Sequence, residues 1–334
     1  MLATFPEIGF CYLHDLSLVA VRGPDAATFL HQQLSNAVTG MPLHTFRLAG
    51  LCSPKGRLFA SMYYWRDQDD IILMVSRDLS EPLIKRLSMF ILRSRVTLTN
   101  VDNHYTLLAL VGKETVLAQA LSAALPDVGG IVHHPKGAVL RLPDVQGHCR
   151  LLWPMPAPTV PQSEDKHALS AGVNACLADY PGRAIAQEIA LPIWHVLEIH
   201  SGVPRITLAT QDQFVPQMIN FEVVGGVDFK KGCYPGQEVV ARSQYRGTIK
   251  RRLQLACVEG DVMVTAGMLL FHSDDPGQPC GMVVNATQTG PAASYDILVE
   301  VKLAALTSGT VHLGDTTGPG LTFLSLPYSL AVAE

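Results

Sequence analysis

Residues 230–238 read Lys230-Lys231-Gly232-Cys233-Tyr234-Pro235-Gly236-Gln237-Glu238, so that a cysteine stands between two glycines, just after two lysines. The thiolate is the reactive form of cysteine, and nearby cations or a helix N-terminus stabilise it. Pro235 is typical of the first position of a helix. The pattern predicts a helix that begins at Pro235 and a reactive Cys233 near its positive end, with Lys231 as electrostatic support. An inert, buried cysteine in a tight turn is the alternative interpretation.

The segment around this cysteine is basic, although the formal net charge of the chain is -4. Between residues 230 and 252, Glu238 is the only acid, and the bases are Lys230, Lys231, Arg242, Arg246, Lys250, Arg251 and Arg252. Such asymmetry predicts a docking surface for an anion, whether a carboxylate-bearing cofactor, a phosphate or RNA. A solvated strand edge protected by basic side chains is the alternative. Tyr234 and Tyr245 are expected to stack on a flat ligand ring.

Residues 229–252 resemble the signature of the YgfZ family of folate-binding proteins. The signature comprises Lys-Gly-Cys-Tyr-Pro-Gly-Gln-Glu, Val240-Ala241-Arg242, Tyr245-Arg246-Gly247 and Lys250-Arg251. Other segments resemble the family in the same order, namely 15–30, Ser53-Pro54-Lys55-Gly56-Arg57, Gly202-Val203-Pro204 and 214–220. The family is related to the glycine-cleavage T protein, a tetrahydrofolate-dependent aminomethyltransferase, and to mitochondrial factors that help to mature iron-sulfur proteins.

The resemblance implies tetrahydrofolate as the cofactor. It also implies that the partners are iron-sulfur proteins or their assembly machinery, tRNA-modifying enzymes among them, and that Cys233 and Lys231 are central to the action. Arg242 and Arg246 are predicted to meet the anionic glutamyl tail of the folate. The full set of predicted cofactor-binding residues is Gln217, Asn220, Lys231, Tyr234, Gln237, Arg242, Tyr245, Arg246, Trp194 and His200.

The chain departs from the aminomethyltransferase branch at its acidic positions. Where that branch carries a pair of aspartates, the corresponding positions here are Phe59 and Ala60, and apolar groups cannot polarise a reacting amine. The branch also has a glutamate that anchors the pterin ring two residues before Gly202, where this chain has His200, with Glu198 two residues earlier. We therefore expect a folate-binding factor that supports assembly or repair of iron-sulfur enzymes. The alternatives are an active one-carbon (aminomethyl) transferase and a cysteine-based redox or hydrolytic enzyme.

Bulk composition favours a folded cytoplasmic protein. Hydrophobic residues make up 48% and charged residues 16% of the 334 positions, and the pI is about 6.3, which argues against long disorder and against direct nucleic-acid binding. No apolar run is long enough to span a membrane, and Met1–Glu7 does not resemble a leader. The seven cysteines include no Cys-x-x-Cys pair, so neither a disulfide framework nor a metal site is expected.

Hydrophobic periodicity indicates an α+β fold. It predicts helices over Pro24–Leu34, from a Ser80 cap through Leu92, and over Lys113–Leu125. Strand pairs are predicted at Leu58–Trp65 with Ile71–Val75 and at Arg95–Val101 with Tyr105–Val111. Short β-rich runs near 253–258, 268–272, 281–286, 296–301 and 310–313 are typical of a small barrel.

Together with the resemblance, these patterns predict two α+β lobes around a central folate-binding channel in residues 1–245 and a C-terminal β-barrel in residues 246–334. The proline-rich segment 154–162 is predicted to connect the lobes.

Overall fold

Two sheets share the N-terminal half of the chain. The computed structural model describes residues 6–157, Val173, 186–289 and 294–330. The strands of the first sheet are β2 (Leu16–Arg22), β3 (Phe46–Cys52), β4 (Leu58–Asp67), β5 (Asp70–Ser76) and β6 (Thr97–Asn100). The strands of the second sheet are β1 (Ile8–Tyr12), β7 (Tyr105–Gly112), β8 (Ile131–His134), β9 (Gly137–Val145), β10 (His148–Pro156) and β11 (Gln187–Glu188). Their spatial orders are β3-β4-β5-β2-β6 and β11-β1-β7-β10-β9-β8.

The chain passes between these sheets twice. It starts in the second sheet with β1, forms the first sheet, and returns through the short turn Asp102–His104 to β7, which pairs with β1 and β10. The predicted pairing of 95–101 with 105–111 is therefore wrong, because β6 pairs with β2 in the other sheet. Pro154–Pro156 continue β10 beside β7, and residues 158–162 of the predicted connector lie outside the described residues.

Other local predictions are confirmed more closely. The hairpin of β4 and β5 forms as expected, and α1 (Ala26–Gln33) buries Ala26, Phe29 and Leu30. The helix α3 (Glu114–Ala120) is shorter than predicted. The predicted Ser80 cap is wrong, because α2 (Arg77–Ser88) begins directly after β5. Ser80 lies inside the helix, where its hydroxyl oxygen accepts hydrogen bonds from Ser17 (3.0 Å) and Asn100 (3.2 Å).

The C-terminal strands lie where the short β-rich runs predicted them, and they form a curled half-barrel sheet. The spatial order is β16-β13-β14-β15-β12-β17. These strands are β12 (Arg251–Glu259), β13 (Leu269–His272), β14 (Asp275–Gln288), β15 (Ser294–Lys302), β16 (Val311–Leu313) and β17 (Leu321–Leu324).

One helix, α4 (Leu191–His200), lies where the three sheets meet. It packs on β1 of the second sheet and on β14 and β15 of the C-terminal sheet. Trp194 and Leu197 on its buried face join a core formed by side chains of both N-terminal sheets. A second core joins the first sheet to Leu253, Leu255 and Leu298 of the C-terminal sheet. Among the described helices, none has the length and hydropathy of a membrane span.

Candidate functional site

A cavity of about 170 Å³, here called the inner cavity, lies beside α4. Its polar walls come from different elements: Tyr63 on β4, Arg150 on β10, His195 and Glu198 on α4, and Arg205 in the loop after α4. Leu48, Met74 and Leu298 add apolar surface from the first and C-terminal sheets. A cavity with mostly apolar walls and a few convergent polar groups is the usual form of a small-molecule site.

A larger cavity of about 660 Å³, the outer cavity, adjoins the inner one. The two share Leu48, Tyr63, Ser201 and Val203 in their walls. Arg47 and Asp144 are the charged residues that line the outer cavity. The two cavities together therefore offer an enclosed end and a more open end to an elongated ligand.

Glu198 has a carboxylate that accepts no hydrogen bond from the described residues. Its Oε2 lies 3.9 Å from His195 Nε2 and 3.8 Å from Arg205 Nη2, beyond hydrogen-bond distance. Both of these neighbours instead contact Asp15 Oδ2, at 2.9 Å from His195 Nε2 and 2.6 Å from Arg205 Nη1. Burial acts to raise the pKa of Asp15, but the His195 hydrogen bond and the Arg205 charge together lower it. Because His195 and Arg205 both contact Asp15, the Glu198 carboxylate remains available to a ligand.

Arg150 and Tyr63 also line the inner cavity, and neither forms an ion pair with a described residue. Arg150 is 1% exposed, its Nε donates to the Pro143 carbonyl at 3.0 Å, and its guanidinium carbon lies 5.6 Å from the Trp194 ring centroid. Burial lowers the pKa of Arg150. Burial also raises the pKa of Tyr63 to about 12, with Arg150 and Glu198 acting in opposite directions, so the phenol stays neutral and able to donate.

The cysteine loop, residues 230–236, lies elsewhere on the surface. Cys233 is exposed, whereas Lys231 is buried and donates through Nζ to the carbonyls of His31 (2.5 Å) and Leu34 (2.8 Å). These carbonyls belong to the C-terminal end of α1, so the lysine caps that helix. The ammonium also lies 4.8 Å from the Tyr234 ring centroid, and burial lowers the pKa of Lys231 to about 8. Lys231 thus anchors the loop that presents Cys233.

The helix after this loop begins later than the sequence predicts. It is α5 (Gln237–Tyr245), and its N-cap is Gly236 with a φ of 79°. A Cβ atom at Gly236 would lie 2.3 Å from the Ser53 carbonyl oxygen, so only glycine fits this close approach to the Ser53–Gly56 loop. Two segments that resemble the family signature are therefore in direct contact.

The predicted cofactor-binding residues line neither cavity. Gln217 and Asn220 are buried and bonded within the protein, Gln217 Nε2 to the Val240 carbonyl (2.9 Å) and Asn220 Nδ2 to the Leu253 carbonyl (3.1 Å). His200 contacts Asp296 of the C-terminal sheet at 2.6 Å. Trp194 lies behind Arg150. Tyr234 is buried in the cysteine loop, and Gln237, Arg242, Tyr245 and Arg246 are on α5 or at its C-cap.

Sequence reasoning did not predict that Arg150, Tyr63, His195, Glu198 and Arg205 line a common cavity. The strand sequence Cys149-Arg150-Leu151-Leu152-Trp153 carried a signal, since an arginine inside a buried apolar run needs a partner. The two positions that are acidic in the transferase branch are apolar here. Ala60 is buried, and the Phe59 ring centroid lies 6.0 Å from the guanidinium carbon of Arg86. No group of three or more metal-ligating side chains is found in the described part of the chain.

Alkylation should modify Cys233 ahead of the other cysteines that the structure describes. Burial raises the pKa of Cys11 and Cys52 to about 12 and that of Cys149 to about 11, so these remain thiols through pH 10. Buried thiols react only through opening of the fold. We therefore expect the alkylation rate of Cys233 to exceed the rates of these buried cysteines by a factor on the order of ten or more. Peptide mass spectrometry after brief iodoacetamide treatment at pH 7 to 9 measures it. Equal labelling of Cys233 and Cys257, which is half-buried, would contradict the prediction.

Comparison with known proteins gives the family. No family model matches the chain. A curated "tRNA-modifying protein YgfZ" of Sodalis glossinidius is 28% identical over 328 residues, covering 95% of this chain and 92% of that protein. The protein of the same name from Shigella sonnei is 30% identical over 256 residues, covering 76% of this chain and 73% of the relative.

Among solved structures, the glycine cleavage system aminomethyltransferase T from Bartonella henselae shares the fold, with a TM-score of 0.66 and 16% identity over 97% of this chain and 87% of that one. Taken with the identity to the curated relatives, this mixed α+β fold leads to one conclusion: the chain belongs to the YgfZ family.

Proposed function

We propose that this chain binds a reduced folate in the two adjoining cavities and, through Cys233, supports the assembly or repair of iron-sulfur enzymes, including those that modify tRNA. The observation that carries the proposal is the inner cavity, in which the Glu198 carboxylate accepts no hydrogen bond from the described residues and the terminal nitrogens of Arg150 donate none to them. Unpartnered buried polar groups are costly unless a ligand satisfies them.

The inner cavity has the chemistry for a pterin ring. A pterin carries N–H donors on one edge and flat apolar faces, which match a free carboxylate and walls such as Leu48 and Met74. Family resemblance puts the pterin-anchoring glutamate at the position of His200, but here it is Glu198 that lines the cavity. Residues two apart on a helix lie on different faces, so only one of these positions can serve.

The outer cavity provides the room for the rest of the molecule. With about 660 Å³ it falls in the range of drug-sized ligand sites, and Arg47 in its wall offers a cation to the glutamyl carboxylates.

In this proposal the first and second sheets with their helices are the two lobes, the adjoining cavities are the central channel, and the half-barrel sheet belongs to a C-terminal barrel domain. Arg242 and Arg246 then act outside the cavities, on the surface that carries Cys233.

Support of a partner enzyme accounts for the exposed thiol better than aminomethyl transfer does. Transfer needs a carboxylate where this chain has Phe59 and Ala60. The relatives are named tRNA-modifying proteins, and iron-sulfur enzymes that modify tRNA are the partner class we propose. A presented cysteine on a loop anchored by Lys231 suits contact with such a partner or its cluster.

Calorimetric titration with mono- and polyglutamylated tetrahydrofolate tests the cofactor. We expect saturable binding of about one molecule per chain, in line with the one pair of adjoining cavities that Glu198 and Arg47 line. The polyglutamylated form is expected to bind more tightly, because it brings further carboxylates to Arg47. Absence of saturable heat with both forms would reject the folate assignment.

A further inference from the structure

Arg150 differs from the other buried arginine of the same sheet. Arg141 on β9 is also buried, but its Nη2 pairs with Glu114 at 2.8 Å and with Asp144 at 3.2 Å. Arg150 is more deeply buried and has no ion pair within 4.0 Å among the described residues, and its one hydrogen bond uses Nε. The two terminal nitrogens of Arg150 carry four N–H groups, and none of these donates a hydrogen bond to a described residue.

An unsatisfied buried guanidinium carries a large desolvation penalty. Trp194 supplies a cation–π contact at 5.6 Å, which does not replace hydrogen bonds. A desolvation penalty of this kind is typical of a functional site, where a bound ligand supplies the missing hydrogen bonds. Because Arg150 lines the inner cavity, a ligand in that cavity is within its reach.

Glu198 and Arg150 face the same cavity without forming an ion pair. Because both line the same cavity, a flat ligand there can meet a carboxylate acceptor and guanidinium donors along one edge. The pyrimidine edge of a pterin has the complementary order, since its 2-amino group and N3–H donate and the neighbouring oxygen on C4 accepts. A guanidinium is suited to such planar recognition because its N–H groups are held in one rigid fork.

We propose that Arg150 is a specificity-determining residue of the inner cavity, whose guanidinium donates to the pterin C4 oxygen while Glu198 accepts from the 2-amino group and N3–H. This inference rests on the proposed folate binding. It predicts that the chain selects 4-oxo pterins over 4-amino pterins, because a 4-amino group would turn a donor toward the guanidinium and N3 would lose the hydrogen that Glu198 accepts.

The test is calorimetric titration of the wild-type chain with tetrahydrofolate and with its 4-amino analogue, tetrahydroaminopterin, in which an amino group replaces the oxygen on C4 and N3 carries no hydrogen. We expect the 4-oxo compound to bind about 10- to 100-fold more tightly, the range for a hydrogen bond to a charged group. In Arg150→Met, tetrahydrofolate affinity should fall by a similar factor, and the ratio between the two ligands should also fall, leaving only the part that comes from Glu198 and N3–H. Arg150→Lys should be intermediate, since it keeps the charge and loses the fork.

Arg22→Met is the matched control. Arg22 forms an ion pair with Asp70 at 2.7 Å, and it lines neither cavity, so discrimination should stay at the wild-type level. Thermal unfolding provides a second readout: loss of an unpaired buried charge should not lower the Tm of ligand-free Arg150→Met, whereas loss of a structural arginine would.

Three outcomes would overturn the inference. A wild-type chain that binds both compounds equally overturns it without any variant, and so does an Arg150→Met variant that keeps the wild-type ratio. A lower Tm in Arg150→Met with unchanged discrimination would assign the residue to folding alone. A wild-type chain that binds neither compound rejects the proposed folate binding itself, which separates the two failures.

Discussion

Cells whose only copy of this chain carries Cys233→Ala are expected to lose iron-sulfur enzyme activity to the level of cells that lack the chain. The purified variant should keep the wild-type Tm and the wild-type affinity for tetrahydrofolate. Cys233 is exposed and lines neither cavity, so its truncation removes little packing, and surface substitutions of this kind change stability by about 0.5 kcal/mol or less. The measurements are iron-sulfur enzyme assays in cell extracts and the modified nucleosides of bulk tRNA.

Cys257→Ala is the matched control, since Cys257 is a half-buried free cysteine on β12, away from the loop. We expect full complementation from it. Full complementation by Cys233→Ala as well would show that the loop is only a structural turn. Lys231 is unsuited to the same comparison: its ammonium caps α1, so its removal changes the fold of the loop as well as the charge near the thiol.

Local elements were predictable because their determinants are local. The Asp67-Gln68-Asp69-Asp70 turn lies between two apolar runs, and the β4–β5 hairpin follows from that pattern. Likewise, the apolar spacing after Pro24 gives α1. A helix directly after the cysteine was also predicted, from Pro235, although the helix begins at Gln237, after Gly236, which packs against Ser53.

The cavity was not predictable in this way. Tyr63, Arg150 and Glu198 stand far apart in the sequence and meet only because α4 packs where the three sheets converge. The transfer of the chain from β6 to β7 in another sheet is equally non-local, and hydrophobic periodicity carries no signal for it. The resemblance placed the pterin anchor at position 200, which in space contacts Asp296.

Glu198→Gln is expected to weaken tetrahydrofolate binding by about 100-fold, or roughly 3 kcal/mol. Glutamine keeps the size of the side chain, but it replaces a charged double acceptor with one acceptor and one donor group, which opposes the donors of the pterin edge. Calorimetric titration measures the loss. Glu188→Gln is the control with the same chemical change, because Glu188 is exposed on β11 and lines neither cavity.

His200→Ala decides between the two candidate anchors. If the family position held the pterin in this chain, this variant would lose binding and Glu198→Gln would retain it. The geometry predicts the reverse, because His200 is tied to Asp296 at 2.6 Å and lines neither cavity, whereas Glu198 lines the inner cavity with its carboxylate unbonded in the described structure. Loss of the His200–Asp296 contact should therefore lower the Tm, by weakening the attachment of α4 to the C-terminal sheet, and leave the affinity for tetrahydrofolate close to that of the wild-type chain.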